Sequence, residues 1–482
     1  MASASPRLLL ILAALLLLTP APGSAKAAAQ NALQEMMGAP PSPDFAPPPG
    51  QNPFKEPLRR SAPHINFSEA PLRLSGRWGD PPGFKPLPMT GRQGPSSPRA
   101  PQILAPEVSP PAPTRNSTAN MPTQAAPASG NASTGRNALS LSDMIGQMIM
   151  VGCNDSDLRE NDPLLASIQS GRVGNIILFA GGMPDGSKHA ASSGQLRLLT
   201  ARLQKAAPRP LFIAVVQEGG RVQALSPERG FEGGPAAAVL GRSDPDATRQ
   251  TARRMGLEMA AMGINFDFAP VADLAINPLN PAIGAMQRSF STDPNLAAAH
   301  AAAFGEGLVQ AGVTPCLKHF PGRGSAAEAN PGDLPDISAT WQPAELIPFQ
   351  KAILAGWVGA VMPGHLYHRG LDALRPASLS AHVLNGLLRG KLGFAGVIVS
   401  DDMHAGALAR SYSLEERILF AVEAGVDIVL FGNTGRTPDV SADAIHAVLL
   451  RLVQQGRISP ARIAQSFERI SRLKQRFAVW TP

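Results

Sequence analysis

The sequence predicts an α/β protein whose main domain is a (β/α)8 barrel of the TIM type. Short apolar runs rich in β-branched residues alternate with amphipathic stretches over about 340 residues. The runs are continuously apolar, as expected for parallel strands that are buried on both faces. The alternative is an open doubly wound sheet, but the first run is not followed by the G-x-G-x-x-G turn typical of that fold. Eight runs that alternate with eight connections therefore favour the barrel.

The folded domain is predicted to cover residues 138–482. Its strands are predicted at residues 147–153, 174–180, 211–217, 264–269, 313–318, 358–362, 396–400 and 427–431. Its helices are predicted at residues 195–206, 246–262, 295–310, 343–355, 381–392, 414–424, 439–454 and 460–476.

Residues 1–27 are predicted to be a secretory signal peptide. Arg7 precedes the apolar run 8–18, and small residues lead to an A-x-A-like end at 25–27. The run is shorter than the ~20 apolar residues of a spanning helix, and an uncleaved anchor is the alternative. We expect no transmembrane segment after cleavage and an exported protein in the periplasm or the cell envelope.

Residues 28–137 are predicted to be a disordered linker rich in proline. This block holds about half of the 48 prolines, and its apolar residues are sparse and without periodicity. Proline removes the N–H groups that helices and sheets need, and so little apolar surface cannot offset the entropy of ordering. A spacer or wall-associated arm and a dispensable insert both remain open.

Charge and cysteine content exclude some functions. The formal net charge is +7, but the arginines are scattered without a dense basic run, so we expect no nucleic-acid partner. The histidines show no H-x-x-x-H spacing, and we expect no metal and no cofactor. Cys153 and Cys316 fall on the first and fifth predicted strands, too far apart for a disulfide, so both are expected to be buried thiols.

Polar residues follow the predicted strands, where a barrel carries its active site. These residues are 217–221, Asp267, Lys318, His319, His365, Asp401, Asp402, Gly432 and Asn433. Sugars present hydroxyl groups that must be paired when water is removed, and a polar crown of this kind suits a carbohydrate site.

Asp401 is the strongest catalytic candidate. It ends the run 396–400, so its carboxylate is predicted to face the mouth of the barrel. A retaining glycosidase needs a carboxylate nucleophile and a nearby proton donor. An aspartate at a strand end also caps helices, and the adjacent Asp402 leaves both roles open. Lys318 and His319 are predicted to bind sugar hydroxyls, with ordinary surface polarity as the alternative.

Ordered motifs resemble glycoside hydrolase family 3, in particular its bacterial β-N-acetylhexosaminidases. The motifs are QEGGRVQ at 217–223, FAPV at 268–271, RSF at 288–290, KHFPG at 318–322, RPASLS at 375–380, SDD at 400–402 and AG-x-D at 424–427. The resemblance implies a (β/α)8 barrel that removes terminal β-linked N-acetylglucosamine with an Asp nucleophile and without metal or cofactor. It places the nucleophile on Asp401 and sugar contacts on Arg288, Lys318 and His319.

The same resemblance shows where this chain departs from the family. The family loop runs K-H-F-P-G-H-G-D-T-x-x-D-S-H-x-x-L-P, and its proton-transfer Asp and His fall on Ala329 and Pro331. An Asp that binds a sugar hydroxyl falls on Val216, and a second Arg falls on Ala224. The loop residues His, Asp and Thr fall on Arg323, Ser325 and Ala326.

Two functions follow from this pattern. One is a divergent hydrolase of terminal β-linked N-acetylhexosamine or a related wall glycan, with Asp401 as nucleophile. Glu328 or Asp333 would then supply the proton, with Asp336 and His365 as further possibilities. The other is an inactive protein that binds glycan or peptidoglycan through Arg288, Lys318 and His319. A third hypothesis is a barrel that serves in protein–protein interaction. We expect a monomer whose partner is a carbohydrate, with peptidoglycan fragments among the ligands.

Overall fold

The computed structural model describes residues 139–153, 158–178, 192–327, 333–432 and 440–477. The predicted signal peptide, the proline-rich segment at 28–137 and Glu328 lie outside these residues. No helix within the described ranges is both long enough and apolar enough to span a bilayer.

A curled parallel sheet of seven strands forms the centre of the domain. Its strands are β1 (Ile149–Cys153), β2 (Asn175–Leu178), β3 (Phe212–Val215), β6 (Phe266–Asp267), β7 (Thr314–Phe320), β8 (Ala360–Pro363) and β9 (Val429–Phe431), in the order β8-β7-β6-β3-β2-β1-β9. A separate antiparallel hairpin consists of β4 (Gln217–Gly219) and β5 (Val222–Gln223). The residues of all seven sheet strands are buried, which confirms the prediction from their continuous apolar runs.

The run at 396–400 differs from the prediction. It was expected to be a full strand, but it contributes single β-bridges, from Ile398 to Val361 and from Val399 to Ile428. Val361 belongs to β8, and Ile428 directly precedes β9. The run therefore lies between the two edges of the sheet, although it pairs with each through one bridge.

Helices surround the sheet at most of the predicted places. The α-helices are Leu141–Gln147, Pro163–Gln169, Ser193–Ala206, Ala237–Leu240, Pro245–Ala261, Pro294–Gln310, Ile347–Leu354, Gly406–Ser411, Leu414–Ala424, Ala442–Gln454 and Pro460–Arg476. A π-helix spans His382–Lys391, and 3₁₀ turns span Pro227–Arg229, Pro343–Leu346 and Ala377–Leu379. The predicted helix at 343–355 therefore begins as a 3₁₀ turn before it becomes α-helical.

Local signals explain where several helices begin. Ser192 with Gln195 and Ser413 with Glu416 form capping boxes, in which each side chain accepts from the partner's backbone N–H. Asp293 caps the helix that starts with Pro294, whose ring fits the first turn. Leu141–Gln147 also has a capping box, at Ser140, but it was not predicted because one apolar run covers its end and β1.

The amino-terminal ends of the strands, which we call the base, hold buried charges. Asp427 is fully buried before β9, and its carboxylate accepts from Arg389 Nη2 at 2.7 Å and from Arg469 Nη1 at 3.0 Å. Arg462 Nη1 lies 3.5 Å from the same carboxylate. The serine hydroxyl of Ser466 donates to it at 2.7 Å. This cluster ties the last helix to the sheet.

Lys474 is the second buried charge at the base. Its Nζ donates to Gln147 Oε1 at 2.8 Å and to the carbonyls of Gly174 and Pro210 at 2.7 and 2.9 Å. Burial, with a contribution from Arg209, lowers the pKa of Lys474 to about 7. The two cysteines are buried thiols, as predicted, and neither forms a disulfide.

Candidate active site

The carboxyl-terminal ends of the strands, which we call the mouth, carry the predicted polar residues. Lys318 and His319 lie in β7, Glu218 lies in the β4–β5 hairpin that follows β3, and Asp401 follows the run at 396–400. These side chains come from distant parts of the chain, and the curl of the sheet brings their loops to one end. Glu218, Lys318 and His319 are buried, and Asp401 is partly exposed.

Glu218 holds two of the predicted sugar-binding cations. Arg288 donates to it from Nε and Nη2, each at 2.7 Å, in a bidentate pair. Lys318 Nζ lies 2.6 Å from Glu218 Oε1. Burial alone would raise the pKa of Glu218, but Lys318 and Arg288 lower it to about 2. One ionised carboxylate therefore orients both cations and leaves the group with a net positive charge.

His319 is held by Asp273, which the sequence did not single out. The ring Nδ1 lies 2.7 Å from Asp273 Oδ2, and the backbone N–H of His319 donates to Asp273 Oδ1 at 3.2 Å. Burial lowers the pKa of His319, although Asp273 opposes the shift. A neutral imidazole that donates from Nδ1 has a lone pair on Nε2, and Nε2 makes no hydrogen bond within the part of the chain that the structure describes. This nitrogen is free to accept a hydrogen bond from a sugar hydroxyl.

Asp401 and Asp402 have different surroundings. Asp402 Oδ1 accepts from the backbone N–H groups of His404 and Gly432, at 2.9 and 2.8 Å, so its carboxylate organises the local backbone. Within the described residues, Asp401 accepts one backbone hydrogen bond, at Oδ1 from the N–H of Asp402 at 2.8 Å. Burial opposes ionisation of Asp401, but His365, His319 and the Asp402 N–H lower its pKa. Asp401 is therefore an ionised carboxylate at neutral pH, which suits a nucleophile.

The loop after β7 is fixed by two glycines and a buried glutamate. A Cβ on Gly324 would lie 1.7 Å from the Leu274 carbonyl oxygen, and one on Gly322 would lie 2.6 Å from Glu345 Cβ. Gly322 also has a φ of 116°, which side chains rarely adopt. Glu345 Oε2 accepts from the backbone N–H groups of Gly324 and Ser325, at 2.9 and 3.3 Å. The first part of the loop is thus rigid despite its altered sequence.

The predicted proton donors have different surroundings. Glu328 lies outside the described residues, and Asp333 is exposed. Asp336 accepts from Arg369 Nε at 3.0 Å; burial works against its ionisation, but Ser338 and Arg369 lower its pKa. A carboxyl group that stays ionised is a poor acid.

His365 is also engaged. Its Nδ1 lies 2.6 Å from Ser378 Oγ, and its Nε2 lies 2.9 Å from the carbonyl oxygen of Asp402. A carbonyl only accepts, so Nε2 carries the proton and Nδ1 accepts from the serine hydroxyl. Both nitrogens are used in holding the Asp402 segment, which leaves neither for a leaving group.

Two other carboxyl groups have a raised pKa, but both are enclosed. Burial raises the pKa of Asp267 well above its usual value and also raises that of Glu345. Both residues are fully buried. Asp267 Oδ1 accepts from the Gln217 N–H at 2.9 Å, and Glu345 holds the loop. These acids have the right protonation state for a donor but no access to the mouth.

The two apolar replacements at the hairpin are neighbours. The backbone N–H of Ala224 donates to the carbonyl of Val216 at 3.0 Å. Both side chains are partly buried against the core. The two positions where the family resemblance places an Asp and an Arg are therefore adjacent in the structure, and both charges are absent.

The sequence placed Glu218 among the polar residues of the mouth without a role, and it did not single out Asp273. Glu218 stood in a recognised motif at a strand end, which could have flagged it as the partner of two cations. Asp273 lies in a loop without a pattern, and only its contact with His319 reveals its role. Lys318 and His319 lie in β7, Arg288 shares Glu218 with Lys318, and the charges of Arg288 and His319 interact with Asp401.

Comparisons with known proteins agree with this architecture. The family model for the glycosyl hydrolase family 3 N terminal domain matches residues 140–473. A β-hexosaminidase of Xylella fastidiosa (strain M23) is 36% identical over 311 residues, which cover 62% of this chain and 87% of that protein.

Solved structures resemble the chain over the same region. A glycoside hydrolase family 3 β-N-acetylglucosaminidase from Paenibacillus sp. str. FPU-7 has a TM-score of 0.65 at 35% identity and covers 72% of this chain; the match spans 64% of that chain. The β-N-acetylhexosaminidase from Beutenbergia cavernae DSM 12333 has a TM-score of 0.63 at 32% identity. The match covers 70% of this chain and 99% of that chain. The chain therefore belongs to glycosyl hydrolase family 3, as a β-hexosaminidase-like glycosidase.

Proposed function

We propose that this protein removes terminal β-linked N-acetylhexosamine from a glycan by a retaining mechanism in which Asp401 is the nucleophile. The observation that carries the proposal is the state of Asp401, a partly exposed carboxylate at the mouth whose pKa is lowered although burial opposes it. The names of the relatives support the same substrate class. They favour turnover over the alternative, a glycan-binding protein without activity.

The proposed reaction follows from the positions of the charged groups. Arg288, Lys318 and the Nε2 lone pair of His319 bind sugar hydroxyls, while Glu218 and Asp273 hold these three side chains in place. A carboxylate oxygen of Asp401 attacks C1, and the bond from C1 to the leaving oxygen breaks with its electron pair. The leaving oxygen takes a proton, and water then cleaves the glycosyl ester to give the sugar and regenerate Asp401.

The proton donor belongs to the proposal. Glu328 and Asp333 remain the candidates, because the described carboxyl groups with a raised pKa are buried and His365 is engaged on both nitrogens. Slow turnover is expected with poor leaving groups, since a missing acid or base costs about 10²–10⁴ in rate.

Three further features complete the proposal. The run at 396–400 acts as the eighth strand of a (β/α)8 barrel, supported by its bridges to both edges of the sheet. The protein is exported as a monomer, and peptidoglycan fragments are among its substrates. The signal-like sequence at 1–27 supports export.

The test is hydrolysis of an aryl β-N-acetylglucosaminide, with and without azide, by wild type and Asp401→Asn. An aryl leaving group needs little protonation, so the assay reports on the nucleophile itself. We expect Asp401→Asn to lower kcat by about 10³-fold or more. Azide should accelerate the wild type, because an anion attacks the glycosyl ester without a general base.

Asp443→Asn is the matched control, since this half-exposed carboxylate pairs with Arg172 at the surface and is not part of the mouth. The control should keep full activity. Turnover that is equal in wild type and Asp401→Asn would show that Asp401 is not the nucleophile, and a wild type without turnover would favour the glycan-binding alternative.

A further inference from the structure

Arg323 is a cation at the mouth whose backbone is fixed. Its N–H donates to Asp273 Oδ1 at 2.9 Å, and its carbonyl accepts from Asn280 Nδ2 at 2.7 Å. Gly322 and Gly324 on either side are tightly packed. The backbone of Arg323 is therefore held in place, and its N–H is bonded to the same carboxylate that holds His319. The partly exposed side chain extends from this fixed point.

The guanidinium of Arg323 lacks the carboxylate partner that several other partly buried arginines have. Its Nε is buried and makes no hydrogen bond, and no carboxylate among the described residues forms an ion pair with it. Arg288 pairs with Glu218, and Arg389, Arg462 and Arg469 share Asp427. A buried charged donor without an acceptor costs free energy, and such groups in native structures call for an explanation.

The surroundings indicate what would pair with Arg323. Its charge contributes to the lowered pKa of Asp401, which places it within electrostatic reach of the nucleophile. A planar guanidinium matches the two oxygens of a carboxylate or phosphate, whereas a sugar hydroxyl needs only a neutral donor. An anion at this place would be repelled by Asp401, and Arg323 is positioned to offset that repulsion.

We propose that Arg323 binds an anionic group of the substrate, a carboxylate or a phosphate, next to the bond that is cleaved. The inference rests on the proposed function and specifies its substrate: a glycan that carries a negative charge near the scissile linkage. Arg323 is then a specificity residue. The formal net charge of +7 would also favour the approach of such a polyanion.

The experiment compares matched probes. One pair is an aryl β-N-acetylglucosaminide with a carboxylate on the ring and its methyl ester, which place the charge on the leaving group. The other pair is N-acetylglucosamine with and without a phosphate on its primary hydroxyl, used as competing ligands, which place the charge on the sugar. Wild type, Arg323→Gln, Arg323→Lys and the surface control Arg172→Gln are compared by kcat/KM and by inhibition.

We expect the wild type to prefer the anionic member of one pair by about 10-fold or more, as for a charge-assisted hydrogen bond. Arg323→Gln should abolish the preference and Arg323→Lys should keep part of it, while Arg172→Gln leaves it unchanged. Added salt should weaken the preference. The probe pair for which the wild type shows this preference identifies whether the anion lies on the leaving group or on the sugar.

The inference is overturned if the wild type prefers neither anionic probe, or if Arg323→Gln lowers activity equally on charged and neutral probes. Equal loss with a shifted acid limb of the pH profile would mean that Arg323 only tunes Asp401. If no probe is hydrolysed, the proposed hydrolase fails, and thermal-shift binding of the same probes decides the inference: a preference lost in Arg323→Gln supports it, and equal binding contradicts it.

Discussion

The mouth and the base of the sheet both contain charged groups, but they are satisfied to different degrees. At the base, Asp427 accepts from two arginines, a serine and a backbone N–H, with Arg462 Nη1 3.5 Å away, and Lys474 donates to three oxygens. Arg389 Nε has no partner in the described part of the chain, but both Nη atoms of Arg389 are hydrogen-bonded. At the mouth, His319 Nε2 and Arg323 Nε have no hydrogen-bond partner, and Arg323 has no ion pair, within the described residues. The base charges are thus held by ion pairs within the domain, whereas the mouth keeps polar groups that are available to a ligand.

The base and the mouth also differ in how many residues of the family pattern have been replaced. The chain keeps the AG-x-D motif at the base, where Asp427 belongs to a closed network. At the mouth it has replaced several residues of the family pattern, including the neighbours Val216 and Ala224. Both replacements are partly buried apolar side chains packed against the core. They leave no charge of their own without a partner, so they are compatible with an intact fold.

The largest stability effect is expected at the base, from Asp427→Asn. The change leaves Arg389, Arg462 and Arg469 without their shared carboxylate, and breaking a buried ion pair costs about 3–5 kcal/mol. Urea denaturation should show this loss, while kcat of the folded protein stays close to wild type. Asp443→Asn, a half-exposed surface pair, should cost less than about 1 kcal/mol. A stability loss no larger than that of the control would contradict a structural role for the base cluster.

At the mouth, Glu218→Gln is expected to lower both substrate affinity and stability, the latter by less than Asp427→Asn does. The change frees Arg288 and Lys318 from their common partner, so KM for the sugar should rise about 10- to 100-fold. Because the pKa of Glu218 falls from 4.5 to about 2 on folding, its ionisation contributes roughly 3 kcal/mol above pH 4.5. That contribution disappears as the pH falls toward 2.

Acid unfolding of wild type and Glu218→Gln should therefore converge only as the pH falls to about 2 or below. Glu415→Gln, at an exposed pair with Arg451, provides the control. An unchanged KM in Glu218→Gln would show that the two cations need no shared carboxylate to bind the substrate.

The effect expected from Lys474→Met is a change of stability with pH and not a fixed loss. The pKa of Lys474 falls from 10.5 to about 7 on folding, so the unfolded chain binds more protons between these values. The free energy of unfolding of the wild type should then rise relative to the variant as the pH increases from about 7 to 10, by at most roughly 1.4 kcal/mol per pH unit. Urea titrations at both ends of this range measure it. A constant difference would mean that the three oxygens keep Lys474 charged throughout.

Much of the architecture could be read from local patterns. Continuous apolar runs predicted every strand of the parallel sheet, and capping signals mark where helices such as Leu414–Ala424 begin. The helices Leu141–Gln147 and Pro163–Gln169 were missed because they are only about two turns long and periodicity needs a longer window. The run at 396–400 was predicted as a strand, but its regularity depends on partners at both edges of the sheet.

By itself, the sequence determined the class of fold, the family, the burial of the run that precedes Asp401 and the two buried thiols. These depend on neighbouring residues, whose spacing sets burial and strand direction. Only the tertiary structure decided that Glu218 is shared by Arg288 and Lys318, that Asp273 sets the tautomer of His319, and that Arg323 is left without a partner. Glu218 and Arg288 are 70 positions apart, and Asp273 and His319 are 46 apart. No local pattern encodes such pairs, because they form only when the curled sheet brings its loops to one end.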